Sequence, residues 1–61
     1  MNRAMKALEA TTTLYEAKEI ARDMRQTAIT VERRYGSDHH ITKTFNDRYW
    51  DFVDEMVFKY S

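Results

Sequence analysis

Residues 41 to 60 separate into two faces at a period close to 3.6. On a helical wheel at about 100° per residue, Ile41, Phe45, Tyr49, Trp50, Phe52, Val53, Met56, Val57 and Tyr60 fall within one half of the circle. Lys43, Thr44, Asp47, Asp51, Asp54 and Glu55 occupy the other half. Arg48 and Lys59 stand at the boundary, where their methylene stems can lie along apolar surface. Only Phe58 breaks the division. The pattern predicts an amphipathic helix over about 41–60. Its start has two readings. Ser37 or Asp38 caps it directly after a turn, or Thr44 with Asp47 begins it later and leaves Ile41 extended.

The first half follows a different rhythm. From Leu14, the small and apolar residues run Leu14, Ala17, Ala21, Met24, Ala28, Val31 and Tyr35, alternating steps of three and four as a heptad seam does. Upstream, Met1, Met5, Leu8, Thr12 and Tyr15 keep the same alternation in a register shifted by one residue. Thr13 followed by Glu16 forms a capping-box pattern where the registers meet. Three consecutive β-branched residues, Thr11, Thr12 and Thr13, lower helix propensity there. The expectation is therefore one long first helix, kinked or broken near Thr12. Gly36 after Tyr35 is a helix-terminating glycine.

These segments predict an all-α fold, an antiparallel helical hairpin assembling as a dimeric helical bundle. A competing arrangement is α-β-β-α. In it the β-branched residues of Thr27–Tyr35 and Ile41–Phe45 pair as a hairpin around Gly36, which leaves residues 27–45 open to either structure.

Composition narrows the picture. The chain has no proline and one glycine, so the punctuation of a multi-hairpin β fold is missing. Sixty-one residues make one small domain. A chain of that size buries only about 60% of its unfolded surface, which makes its core marginal when it stands alone. It has no cysteine, which excludes disulfides and thiolate chemistry, and two adjacent histidines do not make a structural zinc site. No metal or other cofactor is expected. Self-association or a partner is the remaining source of stability.

Ten basic residues balance ten acidic ones, which argues against a general polyanion binder. No apolar run approaches the roughly 18 residues of a membrane span. The first residues lead into no apolar signal segment, and Asn2 stands where myristoylation needs glycine. A cytoplasmic location away from membranes is the expectation.

Candidate chemistry is sparse. Ser37, Asp38, His39 and His40 supply the residue types of a hydrolytic triad, but four consecutive positions do not converge as a triad requires. They read as turn and cap residues, with His39 and His40 a solvated pair or a pH-sensitive contact. No enzyme is expected.

Lys18, Arg22, Arg25 and Arg33 lie within about 80° of one another on the wheel, and Arg34 follows. In an antiparallel pair this basic stripe would face Asp47, Asp51 and Asp54, in exposed ion pairs worth about 0.2–1 kcal/mol each. Alternatively it is an anion site, because guanidinium groups suit bidentate recognition. A third reading makes residues 18–35 a helix-turn-helix. Thr27 then caps a recognition helix bearing Arg33 and Arg34, although Arg25 stands where such motifs turn on glycine.

The apolar arc of the second helix spans about 180°, wider than the roughly 100° stripe that one facing helix needs. The seam opposite it is rich in alanine. Tyr49, Trp50, Val57, Phe58 and Tyr60 are therefore the expected partner interface, since Tyr and Trp combine apolar area with a polar handle. The leading expectation is a non-enzymatic protein-binding module of inhibitor or adaptor type, a homodimer with a protein partner. A DNA-binding regulator and an oligomeric binder of a small anion or nucleotide are the alternatives.

Overall fold

The chain leaves helical geometry at Thr11, Thr12 and Thr13, and each threonine does something different there. In the computed structural model, which describes residues 3–61, helix α1 (Arg3–Ala10) ends before them and helix α2 (Leu14–Tyr35) begins after them. Thr11 is buried; its hydroxyl donates to Leu8 O at 2.7 Å and is hydrogen-bonded to the Tyr60 hydroxyl. Thr12 donates through its hydroxyl and its backbone N–H to Glu16 Oε1, at 2.6 and 3.2 Å. Thr13 is extended (φ −135°, ψ 154°), and its Oγ1 accepts from Glu16 N at 3.2 Å. The capping box is thus present but stretched by one residue, with the carboxylate reaching Thr12 N–H instead of the cap's own N–H. The expected kink is a full interruption, and the first half is two helices. Met1, at the head of the upstream register, and Asn2 lie outside the described residues.

The second break is at Gly36, which carries φ +90°. A Cβ there would meet no atom, but an L side chain rarely adopts that φ, so glycine is required by the backbone and not by space. Gly36 N–H closes the end of α2 on Glu32 O at 2.8 Å. Gly36 O in turn accepts from the fully buried Thr42 hydroxyl at 2.7 Å, fixing the entry of helix α3 (His40–Tyr60). Among the described residues there is no strand, so the β-hairpin around Gly36 is not formed. Residues 27–35 complete α2, and residues 40–45 open α3. The hydroxyls of Thr27, Thr30 and Thr44 bond back to Asp23, Gln26 and His40 carbonyls, four residues earlier. Hydroxyls used in this way satisfy threonine inside a helix.

His39 is the residue that caps α3. Its Nδ1 accepts from Ile41 N–H at 3.1 Å, displacing Ser37, Asp38 and Thr44 from the role the sequence suggested for them.

The core is small. Leu8, Ala17, Ala21 and Phe52 form its buried centre, surrounded by Ala4, Ile20, Met24, Tyr49, Met56 and Tyr60. Phe52 is fully buried in a cluster with Leu8, Ala17 and Ala21, and Ile20 and Met24 of α2 pack against that cluster. Removing a buried phenylalanine ring costs about 3–5 kcal/mol, a large part of what a small domain has in total. Contacts along α3 tie it to the rest of the chain: the Thr42 hydroxyl donates to Gly36 O, Arg25 lies over Tyr49, and the Tyr60 hydroxyl is bonded to Thr11.

Helix α1 is held to that pair at its C-terminal end by one ammonium group. Lys59 Nζ donates to Leu8 O at 2.7 Å, Thr11 O at 2.8 Å and Glu9 O at 3.2 Å. These include carbonyls that a helix end leaves without an intrahelical partner, and a cation there also meets the negative end of the helix dipole.

The Glu16 carboxylate is held below its ordinary value of 4.5, first by the Thr12 hydroxyl and backbone N–H and then by Thr13. A lowered folded-state value contributes stability that is present above 4.5 and lost as pH falls through the lowered value. Glu16→Gln keeps an acceptor without the charge. Denaturation midpoints of the two proteins should differ at neutral pH and converge in acid; a gap independent of pH would count against this account of the α1–α2 junction.

Candidate interaction surface

Helix α1 covers one side of the α2–α3 pair and leaves the other open. Ala4 and Leu8 pack on the side bearing Ile20 and Met24. A groove of about 310 Å³ lined by Arg3, Ala4, Ile20, Met24, Phe45 and Arg48 marks where α1 passes over both partners. On the wheel of α2, Leu14, Lys18, Arg22, Arg25 and Ile29 lie on the opposite side; on that of α3, Asn46, Trp50, Val53 and Val57 do. Their exposure agrees. Trp50 is 56% exposed, Val57 57% and Leu14 39%, whereas Ile29 and Val53 are half-buried.

The open face has a charge on each edge. Lys18 and Arg22 bound it along α2; along α3, beyond Trp50, Asp47 and Asp54 share the edge with Lys43. Among the described residues no salt bridge joins this basic stripe to Asp47, Asp51 or Asp54, contrary to the intramolecular pairing the sequence suggested. The reason is geometric. The two edges are the outer sides of neighbouring helices, and packed helix axes stand about 8–10 Å apart, so the apolar face lies between the opposite charges. Arg25 instead lies over the Tyr49 ring, 5.6 Å from its centroid, an exposed cation–π contact of about 0.5–1 kcal/mol.

The five residues expected to form an interface divide into three groups. Tyr49 and Tyr60 pack against the chain's own core, and the Tyr60 hydroxyl is bonded to Thr11. Trp50 and Val57 border the open face, with the indole edge-on to Tyr49 at 5.1 Å. Phe58 is 83% exposed and stands on the side of α3 farthest from α2, among Asp51, Asp54 and Glu55. Tyr15, which the periodicity put in a seam, is 72% exposed because α2 starts afresh at its own cap and abandons the upstream register.

The basic residues do not make a single cluster. Arg33 lies eight residues beyond Arg25, about 12 Å along the axis at 1.5 Å per residue. Arg34 lies over its neighbour Tyr35, 5.8 Å from the ring centroid. A helix-turn-helix within 18–35 is excluded by the backbone: α2 is one continuous helix from Leu14 to Tyr35, with no turn at Arg25. Four-residue steps through Ala17, Ala21 and Arg25 suit unbroken helix, and no glycine interrupts them.

His39 and His40 are stacked at 4.6 Å between ring centroids, and Tyr35 flanks His39 at 4.9 Å. With Nδ1 occupied by Ile41 N–H, His39 serves the helix terminus and does not address Ser37. Thr11, Thr42, His39 and Lys59 are the contributors that sequence reasoning missed. His39 immediately before an amphipathic run was the one available signal, and histidine is not a preferred cap.

No protein-family model, curated protein or solved structure matches this chain.

The cap can be tested by exchange. His39→Ala should lower stability by about 1 kcal/mol, while His39→Asn, which restores a short acceptor, should recover most of it. Equal loss in both variants, measured by chemical denaturation, would remove the capping role.

Proposed function

We propose that this protein is a non-enzymatic protein-binding module of inhibitor or adaptor type, working through the apolar residues that α3 leaves exposed. One observation carries the reading. Among the described residues five apolar ones are buried, yet Trp50, Val57 and Phe58 of a single helix stay at 56%, 57% and 83% exposure. Aromatic anchors on an otherwise charged surface are the residues in which binding energy concentrates. The α2–α3 unit acts as an antiparallel hairpin that presents them, and it functions as part of a dimeric bundle. No helix among the described residues is long and apolar enough to cross a membrane, and a cytoplasmic setting accords with that and with the balanced charge.

An anion-binding reading draws on the basic stripe, which has no salt bridge to a carboxylate among the described residues. It is the weaker one, because Arg25 and Arg34 are engaged with aromatic rings and Arg33 stands apart.

A photo-reactive residue at position 58 should crosslink a specific protein in host lysate, and Phe58→Ala in the unlabelled competitor should abolish competition. A contribution of at least 2 kcal/mol is the scale of a buried aromatic anchor, about a 30-fold change in affinity. Undiminished competition by Phe58→Ala would reject this contact.

A further inference from the structure

We infer that the open α2–α3 face is covered by a second copy of this chain, related by a twofold axis parallel to the helices, with Asp54 of each copy set between Lys18 and Arg22 of the other. This rests on the reading that the exposed apolar residues of α3 are protein contacts, and it assigns Trp50 and Val57 to the twin chain while Phe58 remains outside.

The face is an apolar strip, with Leu14 and Ile29 from α2 and Trp50, Val53 and Val57 from α3. Around Trp50 and Val57 it has Lys18 and Arg22 on one side and Asp47 and Asp54 on the other; Lys43 on the α3 edge and Glu32 on α2 lie further along the face. Two copies packed face to face can be related by a twofold axis lying across the helices or along them. An axis across them sets basic edge on basic edge and acidic edge on acidic edge, which is repulsive. An axis along them exchanges left and right, so that α2 of each copy lies over α3 of the other and each basic edge meets an acidic one. A C2 interface must be self-complementary in this sense, and like-charge juxtaposition selects against the alternative.

The levels along the axis agree as well. Arg25 lies against Tyr49 within one chain, which fixes how the antiparallel helices align. At about 1.5 Å per residue, Lys18 is then level with Met56 and Arg22 with Phe52. Asp54 falls between them. A twofold rotation along the helices preserves height, so Asp54 of one copy comes between Lys18 and Arg22 of the other. Among the described residues these three form no salt bridge.

Area is sufficient. The molecule measures 35 × 19 × 18 Å, so two such faces bury together on the order of 1,200 Å², the lower end of a specific interface. The resulting four-helix contact of α2 and α3 with their symmetry mates is a helical bundle of the ordinary kind.

The test is sedimentation equilibrium of the full chain over a concentration series, with circular dichroism confirming that each variant is folded. Wild type should be dimeric. Asp54→Lys should weaken association about tenfold or more, and so should the pair Lys18→Asp with Arg22→Asp, while the variant combining all three should recover it. A wild-type chain that stays monomeric throughout overturns the inference, and so does a combined variant no better than either parent. Phe58-dependent capture of another protein is read separately. If the chain is monomeric and capture persists, the twofold is wrong and the protein-binding reading stands. If the charge exchange restores the dimer and Phe58 captures nothing, the dimer stands and the reading of an outside target fails.

Discussion

Alanine at positions 17, 21 and 28 sets how near α3 can come to α2, and the remaining packing follows from that approach. A seam of methyl groups lets two helices lie close, with Phe52 filling the space between Ala17, Ala21 and Leu8. The same seam offers little area of its own. The outer part of the α3 arc, Trp50 and Val57, is left in solvent. Helix α1 compensates on one side only. It is too short, at eight residues, to persist alone, and it stays because Lys59 and Tyr60 hold its last turn through Leu8, Glu9 and Thr11.

This arrangement connects local chemistry to the surface. The break at Thr11–Thr13 lets α1 fold back, and the side to which it folds decides which face of the α2–α3 pair is left open. Had α1 continued straight into α2, Leu8 would not reach Phe52, and both faces would be bare. Gly36 and Thr42 act at the opposite end, where the left-handed φ of the glycine and the buried hydroxyl set the angle at which α3 begins. Lys18 and Arg22 on one side and Asp47 and Asp54 on the other are separated across the open face instead of pairing within the chain.

Much of this was legible in the sequence, and the reason is locality. The limits of α3, the cap formed by Thr13 and Glu16, and the interruption beside it all depend on residues within one or two turns. Contacts across about fifty positions, such as Lys59 with Leu8 or Tyr60 with Thr11, leave no periodic trace; Lys59 read only as a boundary residue. Residues 27–45 were ambiguous because their threonines and valine raise strand propensity as readily as they tolerate helix; back-bonded hydroxyls decided the matter. A wheel gives the angle of Asp47 or Asp54 on its own helix but not the side on which a third helix will lie, so the basic and acidic stripes were paired within the chain where the fold holds them apart. The exposure of Trp50 followed from the width of the arc and that of Phe58 from its place outside the arc, but their separation into two distinct surfaces required the position of α1.

The central claim is that the α2–α3 face is finished by another polypeptide, and Trp50, the chain's single tryptophan, stands at its border. Its fluorescence in the purified protein reports on that face directly. As concentration rises, the emission maximum should move to shorter wavelength and quenching by iodide should fall, together with the gain in mass. Emission that stays fully quenchable and unshifted at every concentration would show that the face remains in water and would contradict the account.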